Sequence, residues 1–366
     1  MKINLKDFQR DHAFYGNINI VATIKSFNLQ AIRERYLKSQ KNASGRSGSV
    51  ERRKVDKGGI VSMSLHEGKL STNDEFRGIP EPRGIDFKKN TFSFSAEKEV
   101  FIIRPNGEKQ TINNPWFSYI HTVELNHDVS KILVSSSGFD MILEYDLATN
   151  TQTAEWLAWE NGFDKAVDPV SGKPFQLTRN SEMAPDENYK VIDDPENQVL
   201  PTAMRSAFIN SVSYCKSEKS VLATFFHEGA VFKIDLTNGQ SQKMLSGMKK
   251  PHGGREIPGG IMATSTATGE VFLRVDGSDQ KIDFTHLPGK PDFLSDAEWL
   301  QNTIQLSDNF ITIDSNRTSF VIFNLQQRKF DVIPFDNNWA VQDLVSGTLS
   351  EAQKEFIQSV SQESTG

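Results

Sequence analysis

Short apolar runs alternate with polar turns along this chain, and the alternation recurs in a fixed order. From Arg83, RGIDFKKNTFSFSAEKEVFIIRP reads as three strands rich in Phe, Ile and Val, divided by turns of Lys, Asn and Glu. The same order returns from His121 in HTVELNHDVSKILVSSSGFDMILEYDL, and again from Asn210, His252 and Asn302. Each copy has a polar residue, an apolar strand, a turn, a strand ending in small or hydroxyl residues, a second turn and a third strand. A fourth strand follows in several copies, as in QTAEWLAW and KFDVIPF.

The copies begin at residues 83, 121, 210, 252 and 302, so the steps are 38, 89, 42 and 50 residues. Four antiparallel strands in roughly 40–50 residues is the period of a β-propeller blade. The 89-residue step then holds one blade and one insertion, roughly residues 156–205. That stretch is rich in Pro, Asp and Asn without strand alternation, and reads as a long ordered loop. NINIVATIKSFNLQAIRERYL copies the second and third strands of a further blade, with GGIVSMSL as its fourth. Its first strand is expected from NWAVQDL, near Asn338. Pairing the two chain ends would close the ring and leave few open edges. The prediction is an all-β, six-bladed β-propeller in one domain spanning 1–366. It has a polar, basic loop at 38–59, a lid insertion, and a short amphipathic helix over about 350–360 capped by Ser350.

Blade geometry places chemistry on one face. The inner strand of each blade starts at one mouth of the central channel, and the second turn and the blade-to-blade links return to it. Arg83, His121, Asn210, His252 and Asn302 are therefore expected to ring that mouth, with Asn338 or Trp339 in the sixth place. His227 in FFHEGA, the turns at 135–140 and 264–268, and the Asp314–Arg317 turn fall on the same face. The insertion would cover it as a lid, and loops on a rigid scaffold are where binding usually resides. Gly253 and Gly254 beside His252 leave the backbone bare for a close approach.

Composition narrows the field. Hydrophobic content is 37%, charged content 24% and net charge −6, so no basic face is forced and nucleic acid is not the expected partner. No apolar run is long enough for a membrane span. The start, MKINLKDFQRDH, is too charged for a signal peptide, which makes the cytoplasm the expected location. Cys215 is the single cysteine; no internal disulfide can form, and the residue reads as buried and inert.

A polar residue followed by Gly or a small residue at the head of an inner strand resembles the six-bladed propellers of the gluconolactonase/strictosidine-synthase-like group. There an Asn in a PNG context faces the channel and, in the lactonases, ligates a divalent metal. Pro251-His252-Gly253 is similar to that tripeptide, and Asn210 and Asn302 hold its Asn position. Arg83, His121, Asn210 and His252 also resemble the His, Arg and Asn set of arylsulfotransferase propellers, which have a catalytic histidine.

Three readings of the ring stay open. His121, His252 and His227 could hold one divalent metal ion (Zn, Fe, Cu, Ni or Ca), with Asn210 or Asn302 completing the shell. Alternatively, His252 or His121 serves as general base or nucleophile while Arg83 and Arg317 clamp an anionic group. In the third reading the ring only caps strand ends and binds channel water. Trp116 and Tyr119, preceding His121, form either an aromatic wall or inter-blade packing, and Trp156 and Trp159 read as inter-blade packing. His66 is a candidate extra ring member; His12, His127 and His286 read as surface or structural. Two function classes follow: an enzyme acting on a small anionic or aromatic metabolite, or a non-catalytic propeller binding a protein or peptide on that face. The sequence sets no oligomeric state.

Overall fold

A computed structural model describes residues 1–38, 45–52 and 54–363. Its strands form six sheets of four or five strands, antiparallel except for one outer strand in each of two sheets, and one small three-stranded sheet. The innermost strands are Val341–Ser346, Ile85–Lys88, Ile120–Leu125, Ile209–Tyr214, Pro251–Ile257 and Leu300–Leu306. We number their sheets as blades 1 to 6 in that order. Each inner strand touches the next, and the sixth touches the first, so the ring is closed. This is β-propeller architecture.

Closure happens as the pattern predicts. Val341–Ser346 from near the C-terminus pairs antiparallel with Ile18–Ile24, joining the chain ends within blade 1. The remaining strands of that blade differ from the expectation. The third is Lys57–His66, containing GGIVSMSL, and the fourth is Lys69–Pro80. The segment expected as a third strand is instead the helix Leu29–Lys38. Its signal was present: Asn28 caps it by accepting from the Ala31 amide at 3.1 Å, and Leu29, Ile32 and Tyr36 recur at helical spacing. Leu29 and Ile32 bury against Trp299 and Ala340. Residues 39–44 and 53, within the basic loop, lie outside the described residues.

The N-terminus adds Lys2–Asn4 and Gln9–Arg10 as parallel outer strands to blades 5 and 6. The C-terminal helix, Glu351–Glu363, has a capping box in which Ser350 and Gln353 hydrogen-bond reciprocally. It packs Phe356 against Phe94 and Phe101 of blade 2.

Hydroxyl side chains stitch the blades together. Ser95, Ser135 and Thr23 each accept an amide at the head of the inner strand of their own blade: Gly84, just ahead of it, Thr122 and Asp343. Thr224 of blade 4 accepts the Gly254 amide of blade 5 at 2.9 Å. Thr264 of blade 5 meets Thr303 of blade 6 at 2.7 Å, and Thr303 meets Thr312. Thr23 also donates to the Arg83 carbonyl of blade 2. Apart from Thr303, which lies on an inner strand, these are the hydroxyl residues near the end of the second strand of each repeat. The apolar cores lie outside this girdle, between and within the blades.

The insertion after blade 3 is more ordered than a loop. It contains the strands Lys165–Val167, Pro174–Thr178 and Tyr189–Val191. Short strands interrupted by Pro and Asp leave no run long enough to read from the pattern. Phe163, at its start, packs on Trp156, Phe225 and Phe232, and Arg179 clamps Glu155 and Glu160. Its bulk thus rests beside blades 3 and 4, and only its last residues reach the channel mouth.

Candidate functional site

Bulges at the heads of the inner strands aim side chains into the mouth. Pairing skips His121 in blade 3, Asn210 in blade 4, Gln301 and Asn302 in blade 6, and Gln342 in blade 1. An extra residue in one strand re-aims its side chain out of the regular alternation. Arg83 holds the matching place just ahead of the inner strand of blade 2. In blade 5 the irregularity falls one step later: His252 pairs with Thr264, and Gly253 and Gly254 are skipped. A Cβ on Gly253, at φ +64°, would stand 1.8 Å from Asn302 Oδ1, and one on Gly254 2.6 Å from Thr224 Oγ1. The bare backbone beside His252 is thus filled by neighbouring blades, not by a ligand.

A cavity of about 170 Å³ sits at this mouth, lined by Arg83, His121 and His252 as expected. Residues the repeat did not point to complete it: Lys25, Gln301 and Gln342 beside the ring positions, Arg205 and Phe208 from the insertion, and Tyr36 from the helix. Its cover comes from two insertions, the basic loop of blade 1 and the end of the segment after blade 3. Arg46 donates to the Arg205 and Ser206 carbonyls at 2.7 and 3.2 Å. The Ala203 amide donates to the Ser49 carbonyl at 3.2 Å. The segment carrying Arg205 and Phe208 is fixed from below, because Asp140 accepts the amides of Ser206, Ala207 and Ile209.

The cavity is cationic with aromatic walls. Lys25 Nζ and Arg83 Nη1 both donate to Gln342 Oε1, at 2.9 and 3.4 Å, and Arg83 Nη2 pairs with Glu81 at 2.9 Å. Arg205 is 0% exposed. Its guanidinium lies 4.3 Å from the Tyr119 ring centre and 4.9 Å from that of Phe208. Its Nε and Nη1 find no acceptor among the described residues, nor does Arg83 Nε. Burial pulls the Arg205 pKa down to about 10. Tyr36 stacks on Trp299 at 4.8 Å, while Phe226 meets Phe208 at 4.7 Å and the His252 ring at 5.7 Å.

Both ring histidines are held neutral. Burial and the adjacent Arg83 guanidinium depress the His121 pKa well below its ordinary value. Burial, with Lys25 and Arg83 adding to it, brings His252 to about 3. His121 Nδ1 lies 3.0 Å from the Tyr119 carbonyl, and His252 Nδ1 lies 3.2 Å from the Lys250 carbonyl and 2.8 Å from Thr266 Oγ1. A carbonyl only accepts, so the His121 contact places its proton on Nδ1 and its lone pair on Nε2, whereas His252 Nδ1 also meets the Thr266 hydroxyl, which can donate or accept.

Other expected site residues lie elsewhere. His227 Nε2 is 3.2 Å from the Thr202 carbonyl, which it meets as a donor. Phe208 packs against both His227 and His121, at 5.6 and 5.4 Å. The three histidines therefore do not present converging lone pairs. Among the described residues no group of three or more His, Cys, Asp or Glu is placed to hold a metal. Asn210 and Asn302 do not line the cavity; their amides bond to the Pro251 carbonyl and to Asp343 in the next blade. Arg317 is buried in its own turn, paired with Asp314 and donating to the Leu287 carbonyl. Trp116 packs on Phe139 and Trp159, away from the cavity. Tyr119 does line it, as the floor under Arg205. His66 is exposed at the end of its strand remote from the mouth, near Glu67.

No protein-family model and no curated protein matches the chain. Among solved structures, a chain of a nidogen/laminin complex aligns over 91% of this chain and 99% of that one, at 8% identity and TM-score 0.53. A streptogramin B lyase aligns over 73% and 93% at 8% identity and TM-score 0.45. Virginiamycin B lyase from Staphylococcus aureus aligns over 70% and 84% at 8% identity and TM-score 0.42. At such identity the first likeness shows the propeller-type fold and nothing finer. No helix of the described residues is long and apolar enough to cross a membrane.

Proposed function

We propose that the mouth cavity binds a small organic anion with one aromatic or apolar ring, and that His252 acts on it as a general base. The supporting observation is Arg205, a wholly buried guanidinium with two donors unpaired. A buried donor without a partner costs about 1–3 kcal/mol, and more when charged. An anion entering beside Arg205 and Arg83 would remove that cost and gain charge-assisted hydrogen bonds. A site of about 170 Å³ suits a single ring, since an engineered cavity of roughly 150 Å³ takes up benzene. Two covering insertions and that size favour a small molecule over a peptide.

Charge balance then sets the chemistry. Burial, together with the nearby cations, keeps His252 a weak base. A bound anion offsets the smaller contributions of Lys25 and Arg83 and so raises the His252 pKa from about 3, while burial, the larger cause, stays in place. Nδ1 is engaged by the Lys250 carbonyl and the Thr266 hydroxyl, which leaves Nε2 for the ligand. His121 works differently: its Nε2 accepts from Arg83 Nη1 at 3.4 Å and orients the clamp.

Thermal denaturation with benzoate, phenyl phosphate and phenyl sulfate, beside neutral benzyl alcohol, tests the reading. At least one anion should raise the Tm while benzyl alcohol does not, and Arg83→Met should remove the shift. Equal shifts for charged and neutral rings would sink it.

A further inference from the structure

The inner strands carry a second set of channel side chains beyond the mouth. Asp86, Glu124, Ser213 and Arg255 follow Arg83, His121, Asn210 and His252 by the same three positions. In blades 3 to 5 the irregularity at the strand head adds one residue to the two-residue alternation, so this spacing returns a side chain to the channel. All four line a cavity of about 270 Å³, together with Lys88, Glu256 and Asp343. It shares no lining residue with the mouth cavity.

Both signs of charge meet this cavity without a partner. Arg255 makes no ion pair or hydrogen bond among the described residues; its Nε is sealed, while Nη1 and Nη2 stay open. Its charge still favours the ionised forms of Asp86, Glu124 and Asp343. Asp343 is 6% exposed. Its Oδ1 accepts from Asn302 and from the Leu344 amide, which leaves Oδ2 open to the cavity. The other acids are engaged: Asp86 by the Phe87 and Leu125 amides, Glu256 by the Lys216 amide, and Glu124 by Lys88 at 3.8 Å. A guanidinium and a carboxylate thus face one space without meeting.

We infer that this channel cavity binds an amino acid, meaning an ammonium and a carboxylate on one short carbon chain. The ligand carboxylate lies on the Arg255 terminal nitrogens and its ammonium on Asp343 Oδ2, in the negative field of Asp86 and Glu124. A plain anion meets three carboxylates, and a plain cation leaves Arg255 unpaired and adds a like charge beside it. A metal ion fits less well, because among the described residues no group of three or more His, Cys, Asp or Glu is placed to hold one.

Calorimetric titration of the full chain with glycine, β-alanine and 4-aminobutyrate, beside singly charged butylamine and butyrate, tests this. At least one amino acid should bind about tenfold more tightly than either singly charged compound. Arg255→Met should bring that amino acid to within about twofold of the amine, and Asp343→Asn to within about twofold of the acid, with cooperative thermal unfolding kept in both. Arg255→Lys, which keeps the charge, should retain part of the advantage. Butylamine or butyrate binding as tightly as the best amino acid would overturn the proposal. So would an advantage that survives both Arg255→Met and Asp343→Asn, or no binding by any of the three amino acids. None of these outcomes bears on the anion site at the mouth.

Discussion

Arg83 Nη1 stands 3.4 Å from His121 Nε2, and the two residues hold the same place on neighbouring blades. Such proximity sets the protonation of the mouth. A guanidinium beside an imidazole lone pair is a weak hydrogen bond; beside an imidazolium it is a repulsion. Arg83 in turn shares Gln342 Oε1 with Lys25, so the ring passes charge constraints from blade 3 through blade 2 to blade 1.

The histidines should therefore make folding sensitive to mild acid. Their folded pKa values lie below the unfolded value of about 6.5. The stability they contribute is complete above that pH and is lost as pH falls towards about 3 for His252 and His227. Each such group gives a slope of up to about 1.4 kcal/mol per pH unit across that window. Asp343 and Glu124 in the channel, pushed up to about 6 and about 7 by burial, act oppositely, losing stability as pH rises through those values. Urea unfolding at pH 7.5 and pH 5 separates the contributions. His252→Asn should lose about 1–2 kcal/mol less than wild type between the two pH values. Equal losses would mean that His252 titrates normally.

The hydroxyl girdle gives a second expectation. Thr224 accepts from Ser211 Oγ and from the Gly254 amide, at 2.7 and 2.9 Å, with 0% exposure. Thr224→Val keeps the shape and removes the acceptor, leaving a buried amide unpaired. A loss of about 1–3 kcal/mol in urea unfolding is expected; a loss below about 0.5 kcal/mol would show that the girdle contributes nothing.

Much of the girdle was legible in the sequence, and less of the site. Strand-end hydroxyls recur because every blade meets its neighbour in the same way, so a repeat exposes them. The ring members Arg83, His121 and His252 were legible for the same reason. Arg205 was not, because it sits in the insertion, which has no counterpart in other blades to align with. Tyr36 was hidden by reading Leu29–Lys38 as a strand, although the Asn28 cap and the spacing of Leu29, Ile32 and Tyr36 favour a helix. Asn210 and Asn302 occupy ring positions as expected, yet they spend their amides on the next blade. Position in a repeat fixes where a side chain starts, while the partner it meets depends on a neighbour far away in sequence.

Gly253 supplies a third test. Its positive φ and the 1.8 Å gap to Asn302 Oδ1 mean that a methyl group there must displace the carboxamide. Gly253→Ala should cost about 2–4 kcal/mol by strain and loss of the Asn302–Asp343 bond, read as a fall in the urea midpoint. Gly16, at φ +63° with nothing within 4 Å of its Cβ position, is the control for backbone strain alone. Equal effects of the two substitutions would contradict the close packing of blades 5 and 6.

Ring closure can be tested by truncation. A chain ending at residue 338 lacks the inner strand Val341–Ser346 and should fail to unfold cooperatively. A chain ending at residue 349 lacks only the helix; it should fold with a lowered Tm because Phe94 and Phe101 lose Phe356. Cooperative unfolding of the shorter chain would show that the ring does not depend on its terminal pairing.

The anion site rests most heavily on Arg205, and Arg205→Met is its most direct test. Calorimetry with benzoate, or with whichever anion stabilises the wild type, should show binding to wild type and none to the variant. The unliganded variant should unfold at a similar Tm, because the cost of the unpaired Nε and Nη1 is removed together with the ring contacts to Tyr119 and Phe208. Unchanged anion affinity in Arg205→Met, or a Tm lowered by several degrees with binding intact, would make Arg205 a structural residue and contradict the site.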